Sequence, residues 1–295
     1  MRPLAEALRD GPVVLDGGLA TQLEAAGHDL SDELWSARLL ADDPDAIVAA
    51  HRAFLDAGAS VITTASYQAG LAILAARGLD GPALLRRSVE LARLAASGYD
   101  RPVWIAASVG PYGATLADGS EYRGRYGLTM DELVAFHRPR LELLAAAGPD
   151  VLALETIPDT LEAQALLRAL DGIDVPAWLS YTVDGGLTRA GQSLVEAGAL
   201  VRDHPGIIAV GVNCSSPSDA VAAVPVLMAA SGKPGVLYPN SGETWDAARR
   251  HWRGTASTVD LTATGAALVG GCCRVFPSDI AALAALAAAQ DPTHR

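Results

Sequence analysis

Three cysteines are the residues of this chain best placed to do chemistry. Cys214 stands in AVGVNCSS, and Cys272 and Cys273 sit side by side in ALVGGCCRVFP, about sixty residues further on. A thiolate is both a nucleophile and a soft metal ligand. Three thiolates brought together repel one another, and a Zn²⁺ ion removes that repulsion and holds them deprotonated. Three protein ligands with a fourth position open describe a catalytic rather than a structural zinc site. Two other readings stand beside it. A buried cysteine also packs as a small hydrophobe, and an adjacent pair can form a strained redox disulfide.

For the three to meet, the chain must bring distant segments to one place. Eight short apolar runs recur: VVLD (13–16), SVITTAS (60–66), VWIAAS (103–108), VLALET (151–156), AWLSYT (177–182), IIAVGVN (207–213), GVLYPN (235–240) and ALVGG (267–271). Near-continuous hydrophobic runs of this length fit parallel strands buried on both faces. Segments of helical length lie between them: 44–58, 82–98, 129–148, 159–170, 192–203, 218–232 and 277–290. Thr129 and Glu132 form a capping-box pattern, and Pro139 is expected to kink the helix that follows. The stretch 243–264 is long enough for one or two short helices.

Strict alternation of strand and helix implies a parallel sheet, and eight repeats in 295 residues fit a single-domain (β/α)₈ barrel over 1–295. A doubly wound sheet is the alternative, but no GxGxxG follows the first strand. In a barrel, functional residues sit at the C-terminal strand ends. Those ends carry Asp16, Ser66, Tyr67, Ser108, Glu155, Thr156, Tyr181, Asn213, Cys214, Asn240, Cys272 and Cys273. Gly270 and Gly271 are expected to allow the turn that lets both neighbouring cysteines face one point, because glycine adopts backbone conformations that other residues avoid.

Composition narrows the partners. The net charge is −12 and half the residues are hydrophobic. An acidic chain is a poor match for nucleic acid or for an anionic membrane surface. The N-terminal MRPLAEALRD lacks a signal-peptide core, the apolar run 280–289 is too short to span a bilayer, and three cysteines make no disulfide framework. A reducing cytoplasm is the expected location, and the oligomeric state is left open. The six histidines show no HExxH or ligand spacing. No strand ends in the lysine that Schiff-base chemistry would need. About twenty Gly-rich polar residues (108–127) follow the third strand, and loops of that length in compact domains are usually functional. This loop is expected to cover the barrel mouth and help hold a substrate.

GVNC followed by GGCC, together with LDGGLATQLE (15–24), LWSARLL (34–40), ITTASYQA (62–69), ELAR (90–93), SVGPYGATLADGSEYRG (108–124), FHRPR (136–140) and LYPNSGE (237–243), resembles the homocysteine S-methyltransferase family across nearly the whole chain. The resemblance is closest to the branch using S-methylmethionine, with S-adenosylmethionine as a second donor. It implies a (β/α)₈ barrel with one zinc ion held by Cys214, Cys272 and Cys273. It further implies that Asp16 and Glu155 hold the amino group of homocysteine, and that Tyr67 lies near the metal and fills its fourth position when substrate is absent. Thr156 stands where the betaine-using branch has tyrosine, which argues against betaine. Asn213 and Asn240 could hydrogen-bond the substrate carboxylate or support the zinc ligands. No folate or cobalamin module is appended, so methylcobalamin is not the expected donor. Alternatives on the same site are a selenocysteine or selenohomocysteine acceptor, or a non-enzymatic zinc and thiol redox module.

Overall fold

In the computed structural model, residues 2–30, 36–246, 251–257 and 261–290 are described. Leu34 and Trp35 of the LWSARLL motif lie outside them, as do parts of the 243–264 stretch.

The eight apolar runs form eight parallel strands. They are β1 (Val13–Val14), β2 (Val61–Thr63), β3 (Trp104–Val109), β4 (Val151–Ile157), β5 (Ala177–Tyr181), β6 (Ile207–Asn213), β7 (Gly235–Tyr238) and β8 (Leu268–Val269). They pair in chain order from β2 to β8, and β8 pairs with β1. A bridge between Leu15 and Val61 joins β1 to β2 and closes the ring. The fold is a (β/α)₈ barrel. Helices Pro44–Asp56, Gly81–Ala96, Met130–Ala146, Thr160–Ala169, Leu194–Ala199, Pro217–Ser231 and Pro277–Gln290 form the outer layer.

Alternation along the strands divides the apolar residues into two sets, as strand geometry requires. One set packs between sheet and helices and includes Ile62, Ile105, Leu152, Leu154, Leu179, Val210 and Val212. The other fills the barrel interior with Val61, Trp104, Ala106, Val151, Ala153, Trp178, Ala209 and Val236. The N-terminal turn Leu4–Ala7 belongs to the interior set through Leu4, Ala7 and Leu8. Trp104 Nε1 donates to the Arg2 carbonyl at 3.0 Å. This turn therefore closes the end of the barrel where the strands begin and leaves the other end for a site.

Local signals act as their chemistry dictates. Thr129 and Glu132 make the reciprocal capping box. The helix they open runs from Met130 to Ala146 as one element through Pro139. The 243–264 stretch differs from expectation: it holds an antiparallel hairpin, Thr244–Asp246 with His251–Arg253, and a 3₁₀ turn at Leu261–Thr264. A second small hairpin, Val183–Asp184 with Leu187–Thr188, follows β5.

Candidate active site

The three cysteines meet at the C-terminal mouth of the barrel. Their sulfur atoms all lie within 4.8 Å of one another, and Cys272 Sγ is 3.9 Å from Cys273 Sγ. Tetrahedral zinc with Zn–S bonds of about 2.3 Å places its sulfurs about 3.8 Å apart. The donor set and spacing therefore fit a metal ion. No disulfide links the three. In the thiol cluster itself, hydrogen bonds from Cys214 and Cys272 hold Cys273 well below the ordinary cysteine range. Hydrogen bonding to Cys214 and Cys273, with burial, pushes Cys272 up.

Each cysteine is set by its backbone. Cys214 follows β6 in a left-handed conformation, φ 47°. Its N–H donates to the Tyr238 carbonyl at 3.2 Å, and its own carbonyl accepts from Thr182 Oγ1 at 3.2 Å. Cys272 and Cys273 occupy a turn beyond β8, with Cys272 N–H donating to Pro239 O at 2.7 Å and Val275 N–H to Cys272 O at 3.2 Å. Arg274 takes the left-handed position of that turn, φ 65°, and its Nε donates to Glu243 Oε2 at 3.1 Å. The strain of a non-glycine residue at positive φ is held by that ion pair and by Arg274 N–H donating to Thr21 Oγ1 at 3.0 Å.

The two glycines before the cysteines are needed for a reason other than the one expected. Neither Gly270 nor Gly271 has positive φ. A Cβ on Gly270 would lie 2.6 Å from the Leu15 Cβ and 2.8 Å from the Asp16 carbonyl, and one on Gly271 would lie 2.5 Å from the Val275 side chain. Space, not conformational freedom, fixes glycine here. It lets the end of β8 press against the end of β1, which brings the cysteines beside Asp16.

Asp16 has no exposed surface. Its Oδ2 accepts from Thr63 N–H at 2.7 Å, and its Oδ1 from Thr63 Oγ1 at 3.1 Å and Tyr238 OH at 2.8 Å. Burial raises its pKa to about 7 against the pull of those hydrogen bonds. Glu155 is raised to about 7 as well, by burial first and by the charge of Asp16 in smaller part. Its Oε1 accepts from Ser108 Oγ, which belongs to a run of hydroxyls. Ser108 N–H donates to Thr64 Oγ1 at 3.0 Å, and Thr64 Oγ1 lies 2.7 Å from Ser66 Oγ. Two buried carboxylates that resist ionisation alone are suited to a substrate cation.

Thr156 and Asn213 form a bracket. Thr156 is a β-branched residue at φ 61°, a rare conformation. Its N–H donates to Asn213 Oδ1 at 2.6 Å, and Asn213 Nδ2 donates to Thr156 Oγ1 at 2.7 Å. Asn213 thus faces the cavity with its amide engaged by Thr156. Asn240 lies outside the cavity lining; its N–H donates to Ser215 O at 2.9 Å and its buried Oδ1 has no partner among the described residues. Tyr67 lines the cavity and shares a hydrogen bond with Thr156. Tyr181, also at a strand end, turns into the outer core, where its OH donates to Ala197 O at 2.9 Å.

One cavity joins Asp16, Tyr67, Glu155, Thr156, Asn213 and the three cysteines. Tyr238, Thr63, Glu121 and Tyr122 line it too and were not singled out from sequence. Among the described residues its lining contains no lysine, arginine or histidine. Glu121 and Tyr122 come from the loop after β3, which is ordered into 3₁₀ turns at Tyr112–Thr115 and Ser120–Tyr122. A buried polar cluster ties that loop down. Glu162 Oε1 accepts from Tyr112 N–H at 2.6 Å and lies 3.0 Å from His137 Nε2, while Arg140 donates to the Gly110 carbonyl.

Comparison with known proteins places this geometry. A family model described as homocysteine S-methyltransferase matches residues 13–287. Homocysteine S-methyltransferase 4 of Zea mays is 45% identical, over 93% of this chain and 89% of its own length. Selenocysteine methyltransferase of Astragalus bisulcatus is 40% identical over 95% and 94%. The crystal structure of the homocysteine methyltransferase MmuM from Escherichia coli, in its metallated form, matches with a TM-score of 0.86 and 42% identity, covering 97% of this chain and all of that one.

Proposed function

The chain belongs to the homocysteine S-methyltransferase family and is a methyltransferase that makes methionine from homocysteine; we propose that it takes the methyl group from a sulfonium, S-methylmethionine or S-adenosylmethionine, at one zinc ion held by Cys214, Cys272 and Cys273. The observation that carries this reading is the convergence of three thiols in a cavity lined by three carboxylates and, among its described residues, by no cationic side chain. The likeness to a metallated relative supports a metal at this position. An all-sulfur donor set favours zinc over magnesium or calcium.

Zinc held there supplies a means of keeping a substrate thiol as its thiolate at neutral pH. The chain's residues do the rest. Asp16 and Glu155 hold the homocysteine ammonium, which offsets the burial cost of both carboxylates. Tyr238, Thr63 and Ser108 fix those carboxylates in place, so the sulfur end of the substrate is directed to the cysteines. Asn213 locks the backbone at Thr156 and so fixes where Glu155 projects. The loop over 108–127 covers the mouth and keeps water from the thiolate. Homocysteine releases its thiol proton to solvent as it binds. Its sulfur then forms a bond to the donor methyl group as the donor's sulfur–methyl bond breaks, and the donor leaves as a neutral thioether.

The anionic cavity favours a sulfonium for the same reason: the cation gains from the field that an uncharged donor would not feel. Because one relative is named a selenocysteine methyltransferase, a selenol acceptor is the second reading for the same site. Three unpaired thiols suit a reducing compartment, and we place the enzyme in the cytoplasm. No helix among the described residues is long and apolar enough to cross a membrane. Small molecules are the partners this cavity accommodates. Incubation of the enzyme with homocysteine and each sulfonium in turn should yield methionine from at least one, and no product from either would refute the donor assignment.

A further inference from the structure

The cavity has one carboxylate more than the acceptor needs. Asp16 and Glu155 are engaged by Thr63, Tyr238 and Ser108 near the barrel axis. Glu121 comes from the loop after β3, on the 3₁₀ turn Ser120–Tyr122 that packs against β4, the strand of Glu155. Glu121 is only 9% exposed, and its Oε2 is buried with no hydrogen-bond partner among the described residues. A buried carboxylate oxygen without a partner is costly to keep. The fold nonetheless fixes it there. Gly113 packs so tightly beneath this residue that a Cβ would lie 2.5 Å from Glu121 N, and Asp118 Oδ1 accepts from Ser120 N–H at 2.9 Å, just before it. The Glu121 side chain shares the cavity with Tyr67, Tyr122 and the cysteines, and its charge is felt at Tyr67. Tyr122 beside it has its ring face covered by Arg189, 5.6 Å away, which holds that ring at the rim.

Resting on the sulfonium reading above, we infer that Glu121 is the counter-ion of the donor's positively charged sulfur, and that it discriminates the sulfonium from the neutral thioether left after transfer. A reacting methyl group must lie between the donor sulfur and an acceptor sulfur at the cysteine cluster, so the donor's charge lies in the cavity that Glu121 shares with the cysteines. Glu121 is the carboxylate of that cavity with a buried oxygen that has no partner among the described residues. Its attraction acts on the cation and vanishes once the methyl group has left, which favours product release as well as donor capture.

The test is steady-state kinetics of the zinc-loaded enzyme and its isosteric variant Glu121→Gln. The variant should raise the KM for S-methylmethionine at least tenfold while the KM for homocysteine, the zinc content and the thermal midpoint stay as in the wild type. Methionine, the neutral thioether, should inhibit competitively against the donor with an unchanged constant. Glu121→Asp, which keeps the charge but withdraws it by one methylene, should fall between the two and serves if the glutamine variant does not fold. An unchanged donor KM, or equal weakening of sulfonium and thioether, would overturn the inference. A wild type that turns over neither S-methylmethionine nor S-adenosylmethionine would instead remove the donor reading on which it rests.

Discussion

In the proposed acceptor site, two carboxylates are held against their preference for water. Burial lifts Asp16 and Glu155 to about 7 each. An acid whose folded pKa is raised contributes stability that is fully present below its unfolded pKa and is lost as pH rises through its folded pKa. For Asp16 that window runs from the ordinary value of 3.8 to about 7. Asp16→Asn removes the ionisable group. The amide oxygen can still accept from Thr63 N–H, and the hydroxyls of Thr63 and Tyr238 can reverse to accept from the amide nitrogen. The substrate-free variant should therefore melt higher than the wild type at pH 8, with the gain shrinking toward pH 4, while its KM for homocysteine rises by roughly a hundredfold, the order of a lost buried charge partner. A lower melting point at pH 8 would show that hydrogen bonding outweighs burial. In the wild type, only the ionised acids attract the substrate ammonium. The KM for homocysteine should rise about tenfold per pH unit once pH falls below 7, and a flat profile from pH 8 to 6 would refute the pairing. These two acids were legible in sequence because each ends a hydrophobic run. Tyr238 and Thr63 were not: an inward tyrosine or threonine near a strand end looks like core until the opposite strand shows what its hydroxyl meets.

Among the elements, the loop after β3 contributes Glu121 and Tyr122 to the cavity, and its anchors lie on two helices. His137 and Arg140 on the helix Met130–Ala146, and Glu162 near the start of Thr160–Ala169, grip the loop backbone at Tyr112 and Gly110. All three are fully or almost fully buried. Glu162→Gln weakens the acceptor that Tyr112 N–H and His137 share. The donor KM should rise several-fold with the homocysteine KM unchanged, and proteolysis within 112–122 should quicken. Equal rises in both KM values would mean that the barrel mouth as a whole has loosened. Deleting residues 116–122 should raise the donor KM more sharply still, and wild-type kinetics there would separate the loop from donor binding. The loop's length singled it out in the sequence, and FHRPR marked its anchors only as part of a resemblance. What the motif does is set by tertiary contacts, since a buried His and Arg on a helix give no periodic signal of their own. The hairpin in 243–264 was missed for a related reason: three-residue strands are too short to show an alternation. The glycines of GGCC were legible as necessary, but the reason, contact with Leu15, Asp16 and Val275, depends on barrel closure.

At the scale of the whole molecule, the barrel gathers residues from all along the chain onto one rim. The site includes Asp16 near one end of the sequence and Cys273 near the other, and it exists only because β8 pairs with β1 and Leu15 bridges to Val61. The opposite end is filled by the turn Leu4–Ala7, whose Leu4 is 2% exposed among the interior side chains. Leu4→Ala should cost about 2–4 kcal/mol of stability while leaving the kinetics of the folded enzyme unaltered, because the plug and the site lie at opposite ends. Altered KM values in the folded fraction would contradict that separation. The order of elements was legible throughout, since eight buried runs and their intervening helices admit few topologies; the N-terminal plug was not, because four helical residues carry too little pattern.

The central claim is that Cys214, Cys272 and Cys273 hold one zinc ion at which homocysteine is methylated. Its most direct test is zinc content and methionine formation measured on the same preparations of wild type and Cys272→Ala. About one zinc per chain with activity in the wild type, and loss of both in the variant with the fold retained, is the predicted result. A Cys272→Ala protein that keeps its zinc and still makes methionine would contradict the account.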